Sequence, residues 1–165
     1  MKALSIKQPC ANQILYTGKD IENRSWRTDK RGFVAIHASS QLSTNFGWRE
    51  EDFSRWVPKS KNRTLLPDAI SAIKTSFYVP KDYKKSVVLG AIVGVVEIVE
   101  CVTEHPSPHF YMGFGERNYG FVLRNPIPLT NPVLVKGGLN FWRVPADAEK
   151  QVRDQLKNHS LTFAD

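Results

Sequence analysis

Cysteine is scarce in this 165-residue chain. Cys10 and Cys101 lie far apart in sequence, each in an apolar segment where a free thiol behaves as a small hydrophobe, so buried thiols are expected in place of a disulfide framework. No stretch approaches eighteen consecutive apolar residues, and no N-terminal run joins a charged start to an apolar h-region, so neither membrane spanning nor export is expected. A cytoplasmic location follows. His37, His105, His109 and His159 have no metal-ligand spacing with one another or with the cysteines, and no metal or other cofactor is expected. Long blocks of one charge sign are missing as well, which argues against a disordered basic tail. Internal repeats and long linkers are also lacking. The length suits one substantial core and is short for two, so a single domain over residues 1–157 with a C-terminal tail over 158–165 is expected.

What is present in excess is positive charge. A net charge of +7 and a pI near 9.5 favour an anionic partner, because lysines and arginines that neutralise phosphates release counterions. Nucleic acid is the leading partner, acidic lipid trails it, and no membrane role is expected. Basic residues are spread through Lys19–Arg31, Lys59–Arg63 and Lys81–Lys85 with acids interleaved, which suits a folded basic surface.

The densest chemistry lies in Gly18-Lys19-Asp20-Ile21-Glu22-Asn23-Arg24-Ser25-Trp26. In an extended chain Glu22, Arg24 and Trp26 share one face while Ile21 and Asn23 point the other way. Lys19 sits at the turn into this strand, free to curl onto the Glu22/Arg24 face. The competing reading is a surface strand with a solvated ion pair that contributes little.

Around that stretch the chain reads as strand-rich. Ala3 to Ile6 alternates as a strand, and Gln8-Pro9 starts a short helix with Ala11, Ile14 and Leu15 as its apolar stripe, ended by Gly18 in a left-handed conformation. Phe33 to Ala38 is a buried strand in which His37 reads as a hydrogen-bonded core or rim residue ahead of a catalyst. Asn45 to Val57 suits a helix with Phe46, Trp48, Phe53 and Trp56 on one side, Pro58 to Arg63 a loop, and Pro67 to near Pro80 another helix. Val87 to Val99 is the core strand, with Gly90 and Gly94 as points of bending or close approach that suggest a closed or nearly closed barrel. Glu97 inside it either faces the rim or pairs with a base such as Arg24. His105-Pro106-Ser107-Pro108-His109 is a loop, and Gly113, Gly115 and Gly120 interrupt the aromatic segment before Tyr119 to Leu123 resumes a strand. Pro126, Pro128 and Pro132 punctuate a connection, Val133 to Val135 and Leu139 to Val144 are strands, Ala146 to Leu156 is a helix, and Asn158 onward reads as frayed.

Leu4-Ser5-Ile6-Lys7-Gln8-Pro9 followed by Gly18-Lys19-x-x-Glu22-x-Arg24-Ser25-Trp26 resembles the ASCH (activating signal cointegrator homology) domain family, and within it the domain of the eukaryotic transcriptional cointegrator. The likeness continues through Arg31-Gly32, the strand to Cys101, Phe121-Val122-Leu123 with Asn125-Pro126, and Lys136-Gly137 leading to Trp142. The resemblance implies an α+β fold, a PUA-like small mixed β-barrel with peripheral helices, and a nucleic-acid role with RNA ahead of DNA. It places the motif residues in a basic cleft beside the barrel. Lys19, Glu22 and Trp26 would shape a pocket there, with Gln8 at its edge, while Lys7, Arg24, Arg27, Arg31 and Lys136 approach phosphates. Glu22 would orient the cations. Cys10 stands where relatives usually carry an aromatic, so the resemblance implies a stacking wall that is either missing or supplied by Trp26, Tyr119 or Trp142. The alternative it implies is a hydrolase acting on an acylated cytidine or on RNA, with Lys19 and Glu22 catalytic. Of that hydrolase pattern only the lysine carries over, Glu22 standing where a hydroxyl residue is usual.

Overall fold

The computed structural model describes residues 1–42, 88–110 and 118–165, leaving the expected helices at Asn45–Val57 and Pro67–Pro80, the Pro58–Arg63 loop, and Gly113 and Gly115 outside the described residues. The elements in chain order are β1 (Lys2–Gln8), α1 (Cys10–Tyr16), β2 (Ile21–Arg24), β3 (Gly32–Leu42), β4 (Ala91–Val102), β5 (Tyr119–Leu134), β6 (Phe141–Arg143) and α2 (Ala146–Leu156). Among the described residues the architecture is α+β, a mixed six-stranded sheet in the order β2-β5-β4-β3-β1-β6 with two helices. The β1/β3 ladder is parallel and the other four are antiparallel.

Alternation along the strands divides the core in two. Leu4, Ile6, Val34, Ile36 and Phe121 pack with Ala11, Ile14 and Leu15 of α1, while Ala3, Phe33, Ala35, Ile92 and Val95 pack with Ala148, Val152 and Leu156 of α2. Each large side chain buried this way contributes roughly 1.5–3 kcal/mol relative to exposure. Gly18 ends the α1 turn at φ +81, the left-handed region that glycine enters without steric cost, and thereby aims Lys19 back toward β2.

Three expectations are corrected by this architecture. The sheet is not a closed barrel: β2 and β6 end the strand order with no ladder between them, and at four and three residues they are too short to zip the two edges together. Side chains span that seam instead. Trp26, just beyond β2, lies 5.0 Å edge-on to Phe121 and 5.3 Å edge-on to Phe141, and Phe141 stacks on Phe121 at 6.0 Å. The proline-rich stretch after Leu123 is not a connection but part of β5, which runs on to Leu134. Pro126 and Pro132 fall within two register shifts of the β4/β5 ladder, and Pro128, opposite Gly94, borders one of them, irregularities where a missing N–H is tolerated.

Of the two alternatives for Glu97 the structure has the rim: its Oε2 accepts from Asn125 Nδ2 at 2.8 Å in an exposed contact, while Arg24 bonds Glu22. The chain end is pinned to β3, not frayed: Phe33 N donates to Thr162 O at 2.8 Å, Ala164 N to Phe33 O at 2.9 Å, and Ala164 is buried. Of the two strand glycines, Gly90 precedes β4, and Gly94 is a close approach, where a Cβ would stand 2.8 Å from the Ile127 carbonyl. No helix among the described residues is long and apolar enough to cross a membrane.

Candidate functional site

Where the open seam runs between β2 and β1, the three motif side chains converge. Lys19 Nζ donates to Glu22 Oε2 at 3.1 Å and also to the Ile21 carbonyl, and Arg24 Nη2 bonds Glu22 Oε1 at 3.0 Å. One carboxylate therefore holds an ammonium on one oxygen and a guanidinium on the other. Lys19 and Glu22 are 8% and 7% exposed, so this is not the solvated surface pair of the competing reading. The alternation expected of an extended Glu22–Arg24 segment produces this arrangement, and the turn at Gly18 delivers the lysine.

Arg24 also closes the sheet chemically. Its Nη2 donates to the Ser5 carbonyl on β1 at 2.8 Å, just past the point where β6 stops pairing with that strand at Leu4. Arg24 Nε is buried with no acceptor among the described residues. The side chain is 21% exposed, so part of it stays open to solvent.

Cys10 stands beside this cluster. Burial pushes its thiol up to about 11, the Glu22 carboxylate adds to the rise, and Lys19 and Arg24 oppose it. At neutral pH it is therefore a thiol and not a nucleophilic thiolate.

The remaining expected contacts are scattered. Gln8 is buried and spent on structure: its Oε1 accepts from Asn12 N at 3.1 Å, and its Nε2 donates to Asn12 Oδ1 at 3.0 Å and to Val88 O at 3.3 Å. It ties down the start of α1, and both of its Nε2 protons are used within the fold. Lys7 and Lys136 are exposed on β1 and on the β5–β6 loop. Arg27 forms an exposed pair with Asp29 at 3.1 Å, and Arg31 folds back on the Thr28 and Lys30 carbonyls at 3.3 and 2.9 Å. Trp26, Tyr119 and Trp142 are all half-buried against the two cores.

Two clusters flank the seam that sequence reading did not assemble. On one side Asp20 Oδ1 accepts from Ser107 Oγ at 2.6 Å and lies 2.8 Å from His109 Nδ1. Partial burial alone would raise the Asp20 carboxyl, but the hydrogen bonds from Ser107 and His109 hold it below its ordinary value. This latch fixes the His105–His109 loop next to Lys19.

On the other side Ser5 Oγ is a hub. It donates to Gly138 O at 2.9 Å, accepts from Trp142 Nε1 at 3.1 Å and lies 3.2 Å from His37 Nδ1. His37, 2% exposed, places Nε2 3.0 Å from Val135 O; a carbonyl only accepts, so that nitrogen carries the proton. The expected hydrogen-bonded core histidine is what the structure has. The signal for the hub was the serine and histidine one above the other on neighbouring parallel strands, which needs the β1/β3 register, Ser5 opposite His37, to be seen.

Burial lowers the His37 pKa, against a smaller opposing effect of the Val135 carbonyl. The folded ring is thus neutral in a range where the unfolded one, titrating near 6.5, binds a proton. Stability is expected to fall as pH drops below about 6.5 toward the folded value, and to be untouched by this group above it. Melting temperatures of the wild type and His37→Gln across that window check this; the pH-dependent difference between them should vanish above neutrality.

No family model matches the chain. No group of three or more histidine, cysteine or acidic side chains suited to a metal ion occurs among the described residues. The human protein Activating signal cointegrator 1 is 19% identical over 164 aligned positions that cover 93% of this chain and 24% of the human one. The chain therefore spans about a quarter of the length of that relative and is distantly similar to it along nearly its whole extent.

Proposed function

We propose that this chain is an ASCH-type nucleic-acid-binding domain that takes a single strand, RNA ahead of DNA, at the Lys19–Glu22–Arg24 seam. The observation that carries the reading is the buried carboxylate that grips both an ammonium and a guanidinium. Two cations and one anion leave a single net positive charge, fixed in place at low conformational freedom. Glu22 repels phosphate, so it acts as organiser: it sets the plane of the Arg24 fork, and Arg24 meets the ligand. The unpaired buried Nε fits this role, since a buried donor without a partner costs about 1–3 kcal/mol that a ligand acceptor, reached by a small shift of the arginine, would recover. Exposed Lys7, Arg27, Arg31 and Lys136 add sequence-independent phosphate attraction around it. The distant likeness to a protein named as a signal cointegrator supports the same reading.

Fluorescence anisotropy of labelled single-stranded RNA and DNA across a salt series tests it. Affinity should fall with salt, RNA should bind more tightly than DNA, and Arg24→Ala should weaken binding at least about tenfold. The hydrolase alternative requires Lys19 Nζ to reach a substrate as base or nucleophile, whereas the side chain is buried and tied to Ile21 O and Glu22. Turnover of an acylated cytidine that Lys19→Ala abolishes while strand binding survives would overturn the binding reading in favour of the hydrolase.

A further inference from the structure

Leu139 is 90% exposed, far more than the other exposed large apolar side chain of the described residues, Leu134 at 58%. A lone surface leucine is ordinary and by itself signifies nothing. What sets this one apart is the stiffness and the position of its support. The chain before it is fastened by the Gly138 carbonyl on Ser5 Oγ and by the Val135 carbonyl on His37. Gly137 is pressed so closely on the His37 ring and Ser5 that a Cβ there would lie 2.6 Å from His37 Nδ1, and a Cβ at Gly138 would lie 2.9 Å from Trp142 Cβ. Asn140 just after it adopts φ +52, which fixes the exit into β6.

Position follows from the hydrogen bonds. β6 stops pairing with β1 at Leu4↔Phe141, and beyond that point the loop is tied to β1 by the bond from Ser5 Oγ to the Gly138 carbonyl, one residue before Leu139. Ser5 is the residue whose carbonyl Arg24 holds. The loop and the guanidinium thus hang on one residue, the loop through its side chain and Arg24 through its backbone. Leu139 is the exposed residue directly after the anchored Gly138 carbonyl, with exposed Lys136 on its own loop. Trp26, Tyr119 and Trp142, the other aromatics near the motif, are half-buried against the cores, whereas Leu139 is almost wholly exposed.

We infer that Leu139 is an apolar wedge for a single-stranded nucleic acid, set against the face of the base that follows the nucleotide held at Arg24, with Lys136 on the adjoining phosphate. This rests on the nucleic-acid reading above and deepens it. The chemistry is sequence-tolerant, because every base has an apolar face, and it opens a base step by insertion instead of reading base edges. An acidic peptide would meet the lysine equally well but would offer no stack to part, which is why a strand is the occupant that the leucine and the lysine favour together.

The test uses the whole chain and a single-stranded RNA with 2-aminopurine at successive positions, alongside anisotropy with the unlabelled sequence as competitor. Wild-type protein should bind and brighten 2-aminopurine at one position as its stacking is broken. Leu139→Ala should bind about tenfold more weakly, lose the brightening and keep the salt dependence, whereas Lys136→Ala should shallow the salt dependence and keep the brightening. Both side chains are solvent-exposed, and melting curves matching the wild type confirm that the fold is intact. Wild-type binding that Leu139→Ala leaves unchanged in affinity and in fluorescence overturns the wedge while the Arg24 reading stands. Failure of the wild type to bind any strand at low salt overturns both.

Discussion

Replacing Glu22 by glutamine is expected to cost the fold about 3–5 kcal/mol and to weaken strand binding even though it makes the protein more positive. The carboxylate bonds Lys19 at 3.1 Å and Arg24 at 3.0 Å, and the two pairs share one environment, so removing its charge leaves two cations facing each other with their attraction gone. Lys19 is 8% exposed and cannot recover its hydration without leaving the seam. For a domain of this size the melting temperature should drop by roughly 10 °C. The sign of the binding effect separates two accounts of the site. If net charge alone drew nucleic acid, the variant would bind more tightly, and the salt dependence would steepen. If the carboxylate orders the Arg24 fork, affinity falls despite the added charge. A tighter-binding Glu22→Gln protein would show that Glu22 has no organising role. Lys19→Met, which removes one cation and leaves the Glu22–Arg24 pair in place, should be the milder variant in both measurements.

How much of this arrangement could be read from the chain depends on the range over which each feature is determined. Strand alternation puts Glu22 and Arg24 on one side, and Gly18 at a helix end turns Lys19 onto them, so the triad follows from residues within one short segment. The stripe of α1 and the bounds of α2 are local in the same sense. The long reach of β5 was hidden because Pro126, Pro128 and Pro132 read as breaks, and only the pairing partner shows that they lie at or beside irregularities of a continuing ladder. Gln8 looked like a ligand residue because motif order says nothing about which polar side chain a helix start will consume. Arg27 and Arg31 illustrate the limit of charge counting: proximity in sequence to the triad leaves them tied to Asp29 and to nearby carbonyls. Closure was over-read from the glycines of β4, since bending a strand does not supply the length that β2 and β6 would need to pair.

The second large effect is expected from Gly137→Ala, for a reason opposite to the one that governs Gly18. At Gly18 the added Cβ would meet nothing within 4 Å, and the cost is backbone strain at φ +81. Gly137 has no positive φ, but a Cβ there would lie 2.6 Å from His37 Nδ1 and 2.9 Å from Ser5 Oγ, well inside contact distance. Neither neighbour can yield cheaply. His37 is held by Val135 and flanked edge-on by Trp142 at 5.4 Å, and Ser5 is bonded to Gly138 and Trp142. The loop must therefore lift, and overpacking of this kind costs about 1–3 kcal/mol, with further loss from the hydrogen bonds it breaks. Lifting moves Leu139 away from Ser5 while Arg24 keeps its bond to the Ser5 carbonyl. Strand binding should accordingly weaken about as much as in Leu139→Ala, and the two changes combined should be no worse than either alone, because both remove the same contact. Combining Gly137→Ala with Arg24→Ala should instead give losses that nearly add. A double-mutant cycle read by anisotropy distinguishes the two patterns, and additivity of Gly137→Ala with Leu139→Ala would mean that the His37–Ser5 hub supports the fold without positioning the loop.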